Sequence, residues 1–355
     1  MKKENELIML LSLLERTPGE NEKIKEILDG NLDWAYIAGV LYHHRLTGYF
    51  LMGMTKEQQK GMNTELLRNM KLLMRAQRQA TLYVMDEVKI VTGKLEAENI
   101  KYAALKGLIF NYSLYEPGHR RSNDADLLIC EEDLVAVDKV FRSAGYIQSY
   151  YKNEEFKEAT RVEKVIQRMN YHDLVPYIKA SNSDLLEKVE IDINFQFDCK
   201  TNAITKEVLD SGTMVYSRDQ YSIAGLPWNT HFAHLCSHFY REATDTIWTD
   251  TRRDILLYKV VDIMNTFRLV KDKSKLDEFA ALVRKLKLEK HCYYTMYQLS
   301  HFYSDENIDY LSELLKPDDI SFLDDIHVTG DEDITVKRKV PFYDSAFDFN
   351  YSLKK

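Results

Sequence analysis

Ile100-Lys101-Tyr102-Ala103-Ala104-Leu105-Lys106-Gly107 and, after a helical turn, Arg120-Arg121-Ser122-Asn123-Asp124-Ala125-Asp126-Leu127-Leu128-Ile129-Cys130 decide how this chain is read. A short apolar strand runs into Lys106-Gly107, and a second runs on from Asp124. Side chains alternate in an extended segment, so Asp124 and Asp126 point the same way with Cα atoms roughly 6.6 Å apart. Two carboxylates so placed can hold one hard cation or share a pair of them. Mg²⁺ takes such oxygen ligands, completed by phosphate oxygens and water, and a pair of ions can activate an attacking hydroxyl and stabilise a leaving pyrophosphate. The glycine upstream lets backbone N–H groups approach phosphates without a Cβ in the way. Asp-x-Asp alone also describes a solvated strand end; the strand, glycine turn and second strand around it give the order a phosphate site requires.

The second informative stretch is Val189-Glu190-Ile191-Asp192-Ile193-Asn194-Phe195-Gln196-Phe197-Asp198. Its alternation puts five apolar residues on one face and Glu190, Asp192, Asn194, Gln196 and Asp198 on the other, as in a half-buried strand. Three acids on one face repel unless solvated or neutralised by a cation. Two-metal nucleotidyl transfer needs a third carboxylate beside the Asp pair, to help bind metal and to take the proton of the attacking hydroxyl.

Leu105-Lys106-Gly107, followed by Tyr115 and by Arg120-x-Ser122-x-Asp124-x-Asp126-Leu127-Leu128, resembles the signature of the DNA polymerase β-like nucleotidyltransferase superfamily. It is most similar to the branch described only as uncharacterised nucleotidyltransferases, whose glycine turn has this Lys-Gly form in place of Gly-Ser or Gly-Gly. The resemblance implies an α+β fold: a small mixed sheet with N-terminal helices and a C-terminal helical bundle. It further implies a nucleoside triphosphate substrate with Mg²⁺, two ions being expected, and transfer of a nucleoside monophosphate to a hydroxyl with release of pyrophosphate. Asp124 and Asp126 would be metal ligands and catalytic. Matching the branch's acid-x-His pattern puts Glu190 at the acid and Asp192 where the His usually stands; either could be the third carboxylate, with Glu190 ranked slightly ahead. His172 falls where the branch carries a His, as a candidate phosphate or proton group. Lys106 and Gly107, with Arg120 and Ser122, would hold the triphosphate; a planar bidentate donor such as Arg120 suits phosphate or an acid equally. The acceptor is left open among a small molecule, a protein side chain and an RNA end. The alternatives are a catalytically degenerate nucleotide-binding regulator and a protein- or tRNA-modifying toxin of a toxin–antitoxin pair.

A net charge of −8 over 355 residues argues against sequence-independent binding of long nucleic acid. With 45% hydrophobic and 29% charged residues the chain can bury a sizeable core. Cys130, Cys199, Cys236 and Cys292 are widely spaced, so neither a disulfide framework nor a thiolate zinc site is expected, and the cytoplasm is the natural compartment. Met1-Lys2-Lys3 before Leu7 to Leu14 imitates a signal peptide, but Glu4, Glu6 and Glu15-Arg16 do not fit one, and no apolar run is long enough for a membrane span.

In chain order, helical regions are expected over 1–95, a catalytic core over 96–200, helices over 201–316 and an acidic, aromatic tail over 317–355. Short helices are expected at Leu7 to Leu14, Asn21 to Leu28 and Asp33 to Tyr42, then a long one from Thr55 to about Asn99. Tyr102 to Leu105 and Ala125 to Ile129 read as strands, Glu131 to Ala144 as a helix closed by Gly145, and Val165 to Ile178 and Glu187 to Phe197 as two further strands. His234 and His238 lie four apart on one helical face, a spacing that can bind zinc. The segment also resembles the Leu-Cys-x-His helix of the same branch, paired with Asp262, which implies structural hydrogen bonding between these helices or contact with nucleotide or acceptor.

Overall fold

The computed structural model describes residues 2–152, 155–171, 173–198, 203–329 and 331–348. They form two units: Arg75–His231 is one, and Met1–Met74 with Phe232–Lys355 is the other. The boundaries fall inside the helices Thr64–Ala97 and Trp228–Ala243.

The contiguous unit is built on an eight-stranded mixed sheet. Its strands are β1 (Tyr102–Ala104), β2 (Ala125–Ile129), β3 (Ile147–Lys152), β4 (Glu155–Glu158), β5 (Tyr177–Ala180), β6 (Lys188–Asn194), β7 (Met214–Arg218) and β8 (Tyr221–Gly225), in the order β4-β3-β5-β6-β2-β1-β8-β7. β2 lies parallel to β6 and antiparallel to β1. Alternate residues make the core on one face: Leu127 and Ile129 of β2, Val189, Ile191 and Ile193 of β6, and Tyr177 of β5. Met85, Val88, Val91 and Leu95 of the long helix and Val137, Val140 and Phe141 of helix Leu134–Ser143 pack with them. This burial leaves Asp126, Glu190, Asp192 and Asn194 to the opposite face, since strand side chains alternate.

The α+β expectation holds, and Ala125–Ile129 is the strand expected. Gly145 closes its helix at φ +88°, the left-handed position a glycine takes without a Cβ clash. Three readings change. Thr55 does cap a helix, but a short one, Lys56–Lys60; Asn63 then restarts the chain, accepting from the Glu65 and Leu66 N–H groups at the head of Thr64–Ala97. The stretch expected as a strand from Val165 is instead the end of a helix, Arg161–Tyr171, and β5 starts only at Tyr177. Thr160 and Glu163 form its capping box, and Val162, Val165, Ile166 and Met169 recur at helical spacing; the β-branched chemistry of the first three obscured that period. Finally, β7 and β8 form a hairpin around Asp219-Gln220, with Asp219 at φ +51°. It lacks the Asn-Gly or Asp-Gly pair that marks such turns in a sequence.

The second unit is largely helical and draws on both ends of the chain. The Arg268 guanidinium lies 2.6 Å from Glu20, the Leu14 N–H donates to Asn265 at 3.0 Å, and the Tyr49 hydroxyl donates to Asp262 at 2.7 Å. The aromatic tail packs onto this unit: Phe342 is buried, and His44 Nε2–H donates to the Ala346 carbonyl at 2.8 Å within helix Phe342–Phe347. No helix among the described residues is long and apolar enough to cross a membrane.

Candidate active site

The parallel β2–β6 pairing sets Asp126 opposite Asp192 and Ala125 opposite Ile191, so Asp124 and Glu190 face each other one step earlier. In-register neighbours on adjacent strands lie about 4.8 Å apart and share a face. Four carboxylates therefore gather on one side of the sheet. Asn194, two residues beyond Asp192, donates an amide N–H to Asp126 Oδ1 at 3.2 Å.

Beside them is the turn out of β1. The Leu105 N–H donates to the Asp126 carbonyl at 3.0 Å, extending the β1–β2 ladder to the level of the acids. Lys106 then takes φ +46°, a left-handed conformation a side chain adopts only at a cost. Its Nζ lies 2.8 Å from Asp126 Oδ1, and its N–H donates to His231 Nε2 at 2.9 Å. Gly107 is the second residue of helix Lys106–Tyr112, and a Cβ there would stand 2.1 Å from Arg120 Nη1 and 2.6 Å from Ser122 Oγ. Arg120 is buried, donates to Ser122 Oγ at 2.5 Å and has its guanidinium 5.5 Å from the centre of the Phe110 ring. Lys106, Gly107, Arg120 and Ser122, joined in the sequence only by a motif, thus meet at one turn. Gly107→Ala is expected to cost about 1–3 kcal/mol, because a buried Arg120 has little room to yield. Chemical denaturation measures this; an unchanged midpoint would mean that Arg120 swings clear.

The four acids divide by partner. Asp126 is paired with Lys106, and Glu190 with Lys188. Among the described residues neither Asp124 nor Asp192 has an ion-pair partner of its own. Asp124, exposed as a residue, has its carboxyl set among the other acids; desolvation and then the Asp126 charge push it up to about 6, with Lys106 and Arg120 opposing. Desolvation followed by the charges of Asp124, Asp126 and Glu190 raises Asp192 well above the usual carboxylate range. The donor chemistry, hard oxygens under mutual repulsion, fits a divalent cation such as Mg²⁺. As the side chains stand, no group of three or more His, Cys, Asp or Glu among the described residues is arranged to hold a metal ion; lysines neutralise two of the acids instead.

A pH dependence follows. An acid whose folded pKa lies above its ordinary 3.8 binds protons more tightly folded than unfolded, so its ionisation destabilises the fold as pH rises from about 4 through 6. The metal-free protein should therefore lose melting temperature over that interval relative to Asp124→Asn. Mg²⁺ should raise it more above about pH 7 than below about pH 5. Parallel curves for the two proteins would remove the repulsion argument.

His172 lies outside the described residues. His231, which the sequence reading passed over in favour of its neighbours, is fully buried, and desolvation, then Arg120 and Lys106, push it down to about 3. In the other unit, His238 Nδ1 lies 3.2 Å from Glu242, whose carboxylate is 2.7 Å from Lys259 Nζ. Burial raises the Glu242 carboxyl, but the charges of His238 and Lys259 outweigh it and hold it well below the usual range. Asp262 is engaged by Tyr49. Among the described residues these side chains form no metal-holding group.

With this geometry in view, comparison with family models places the chain. Residues 30–304 match the model of a family described as uncharacterised nucleotidyltransferase, and the chain belongs to that family. No curated protein and no solved structure matches it.

Proposed function

We propose that the protein transfers a nucleoside monophosphate from a nucleoside triphosphate to a hydroxyl of an acceptor, a small molecule, a protein or an RNA end, in a Mg²⁺-dependent reaction that releases pyrophosphate. The observation that carries this reading is the β2–β6 register, which gathers Asp124, Asp126, Glu190 and Asp192 beside the Lys106-Gly107 turn. Asp124 and Asp126, with Glu190 or Asp192, would hold the metal. Bound there, it would supply Lewis-acid stabilisation of the phosphate charge and of the leaving pyrophosphate.

The remaining chemistry falls to the chain's own groups. Lys106 is a point charge held at Asp126 and Arg120 a planar donor, so together they can grip and orient a triphosphate. Ser122 fixes Arg120, and Gly107 leaves room for it. The acceptor oxygen forms a bond to the α-phosphorus as the bond from that phosphorus to the pyrophosphate oxygen breaks, and the hydroxyl proton passes to a carboxylate. Ion pairing favours Asp192 for that proton, because Glu190 is tied to Lys188. This reverses the order suggested by pattern matching.

The test is thermal stabilisation by ATP, GTP, CTP and UTP, each with and without Mg²⁺, on the wild type and on Asp124→Asn. A ligand at a hundred times its Kd stabilises the native state by about 2.7 kcal/mol. A Mg²⁺-dependent shift that the variant loses is the expected result. No shift with any of the four would overturn the reading.

A further inference from the structure

His231 is 125 residues from Lys106 in sequence, yet its ring nitrogen takes the Lys106 N–H. A backbone N–H can only donate, so Nε2 must carry the lone pair and Nδ1 the proton of a neutral imidazole. Among the described residues the buried Nδ1 has no hydrogen-bond partner, so the bond to Lys106 is the polar contact these residues give a fully buried ring. The ring sits in the first turn of helix Trp228–Ala243, whose positive end disfavours an imidazolium, as does burial beside two cations. It also packs 5.2 Å from the Phe110 ring, the same ring that lies under the Arg120 guanidinium.

We propose that His231 is a positioning residue for the triphosphate-binding turn. By accepting the Lys106 N–H it holds the left-handed backbone that directs the Lys106 ammonium to Asp126, and through Phe110 it backs Arg120. The inference rests on the nucleotide site proposed above for its purpose, though not for its geometry. A lysine at positive φ returns readily to the right-handed region unless something holds it. Without the acceptor, Lys106 should leave Asp126 and lose its fixed position, while the ring contact behind Arg120 is kept in an aromatic replacement.

The experiment uses the full chain with two substitutions. His231→Phe keeps an aromatic ring against Phe110 and removes the acceptor; His231→Gln offers an amide oxygen at the position of Nε2. The first readout needs no nucleotide: acetylation of Lys106 by a water-soluble reagent, followed by mass spectrometry under folded conditions. Reactivity should be low in the wild type and in His231→Gln, and higher by about tenfold in His231→Phe, the scale of one lost hydrogen bond. The second readout is binding of Mg²⁺-tripolyphosphate and of the four Mg²⁺-nucleoside triphosphates. His231→Phe should weaken these by about tenfold in the wild-type background and less than about twofold in a Lys106→Met background, because the two residues act through one contact.

Wild-type Lys106 reactivity in His231→Phe overturns the proposal, and so does an equal binding loss with and without Lys106. If His231→Phe does not fold, high Lys106 reactivity in His231→Gln, despite its amide acceptor, overturns it equally. If the wild type binds no triphosphate while Lys106 reactivity still responds to His231, the nucleotide reading fails and the positioning contact stands.

Discussion

Asp124→Asn is expected to lower pyrophosphate release by on the order of a thousandfold while leaving the melting temperature at neutral pH unchanged or higher. Several kcal/mol of charge stabilisation rest on a metal ligand, and each 1.36 kcal/mol is a tenfold change in rate. Asp124 is the cleanest position for this test, because among the described residues it has no ion-pair partner that its removal would strand. Asp126→Asn should also abolish transfer, but it would leave Lys106, whose side chain is only 16% exposed, without its carboxylate. Turnover falls without a loss of stability only if Asp124 serves a ligand and not the fold. A structural role for Asp124 would lower both, and undiminished turnover in the variant would sink the assignment.

Arg338→Met should destabilise the helical unit by about 3–5 kcal/mol, the usual cost of leaving one partner of a buried ion pair alone. Both guanidinium Nη atoms lie 3.1 Å from Asp254 Oδ2, Nη2 also donates to the Ala243 carbonyl at 2.6 Å, and the side chains are 3% and 4% exposed. Burial pushes the Asp254 carboxyl above its ordinary value even with Arg338 opposing, so desolvation outweighs attraction in this pair. The double variant Arg338→Met with Asp254→Leu should therefore recover most of the loss. Denaturant unfolding of the two single variants and the double variant checks this. A double variant as unstable as Arg338→Met would show that the Ala243 carbonyl, not Asp254, is what Arg338 serves.

The acid pair was legible because its geometry is local: two residues apart on a strand fixes the face, and the alternation along Val189 to Phe197 fixed the second face in the same way. That the two faces coincide depends on a parallel pairing between strands more than sixty residues apart, which only the shared motif resemblance suggested. The helix at Arg161–Tyr171 was misread because Val162, Val165 and Ile166 are β-branched and their spacing was not weighed against their propensity. Its exposed Val162 and Met169 show that it was also not the half-buried element a strand reading assumes. His231 was invisible for a different reason. A histidine on an apolar helix face has no local signature of what it accepts, and the four-residue spacing of His234 and His238 is the local feature of this segment, with His238 beside Glu242.

The division of the chain has a consequence for how it is made. Arg75–His231 is one uninterrupted run, whereas the helical unit needs residues from both sides of it. At roughly 5–20 residues per second on the ribosome, the sheet unit can be completed while residues 2–74 still wait on the order of ten to sixty seconds for their partners. Through that interval Ile8, Leu41 and Phe50, all fully buried in the finished protein, have only their own short helices to cover them. The sheet that carries the acids is thus the part of the molecule that nascent-chain folding can secure first. The first seventy-odd residues are where chaperones would be needed during synthesis.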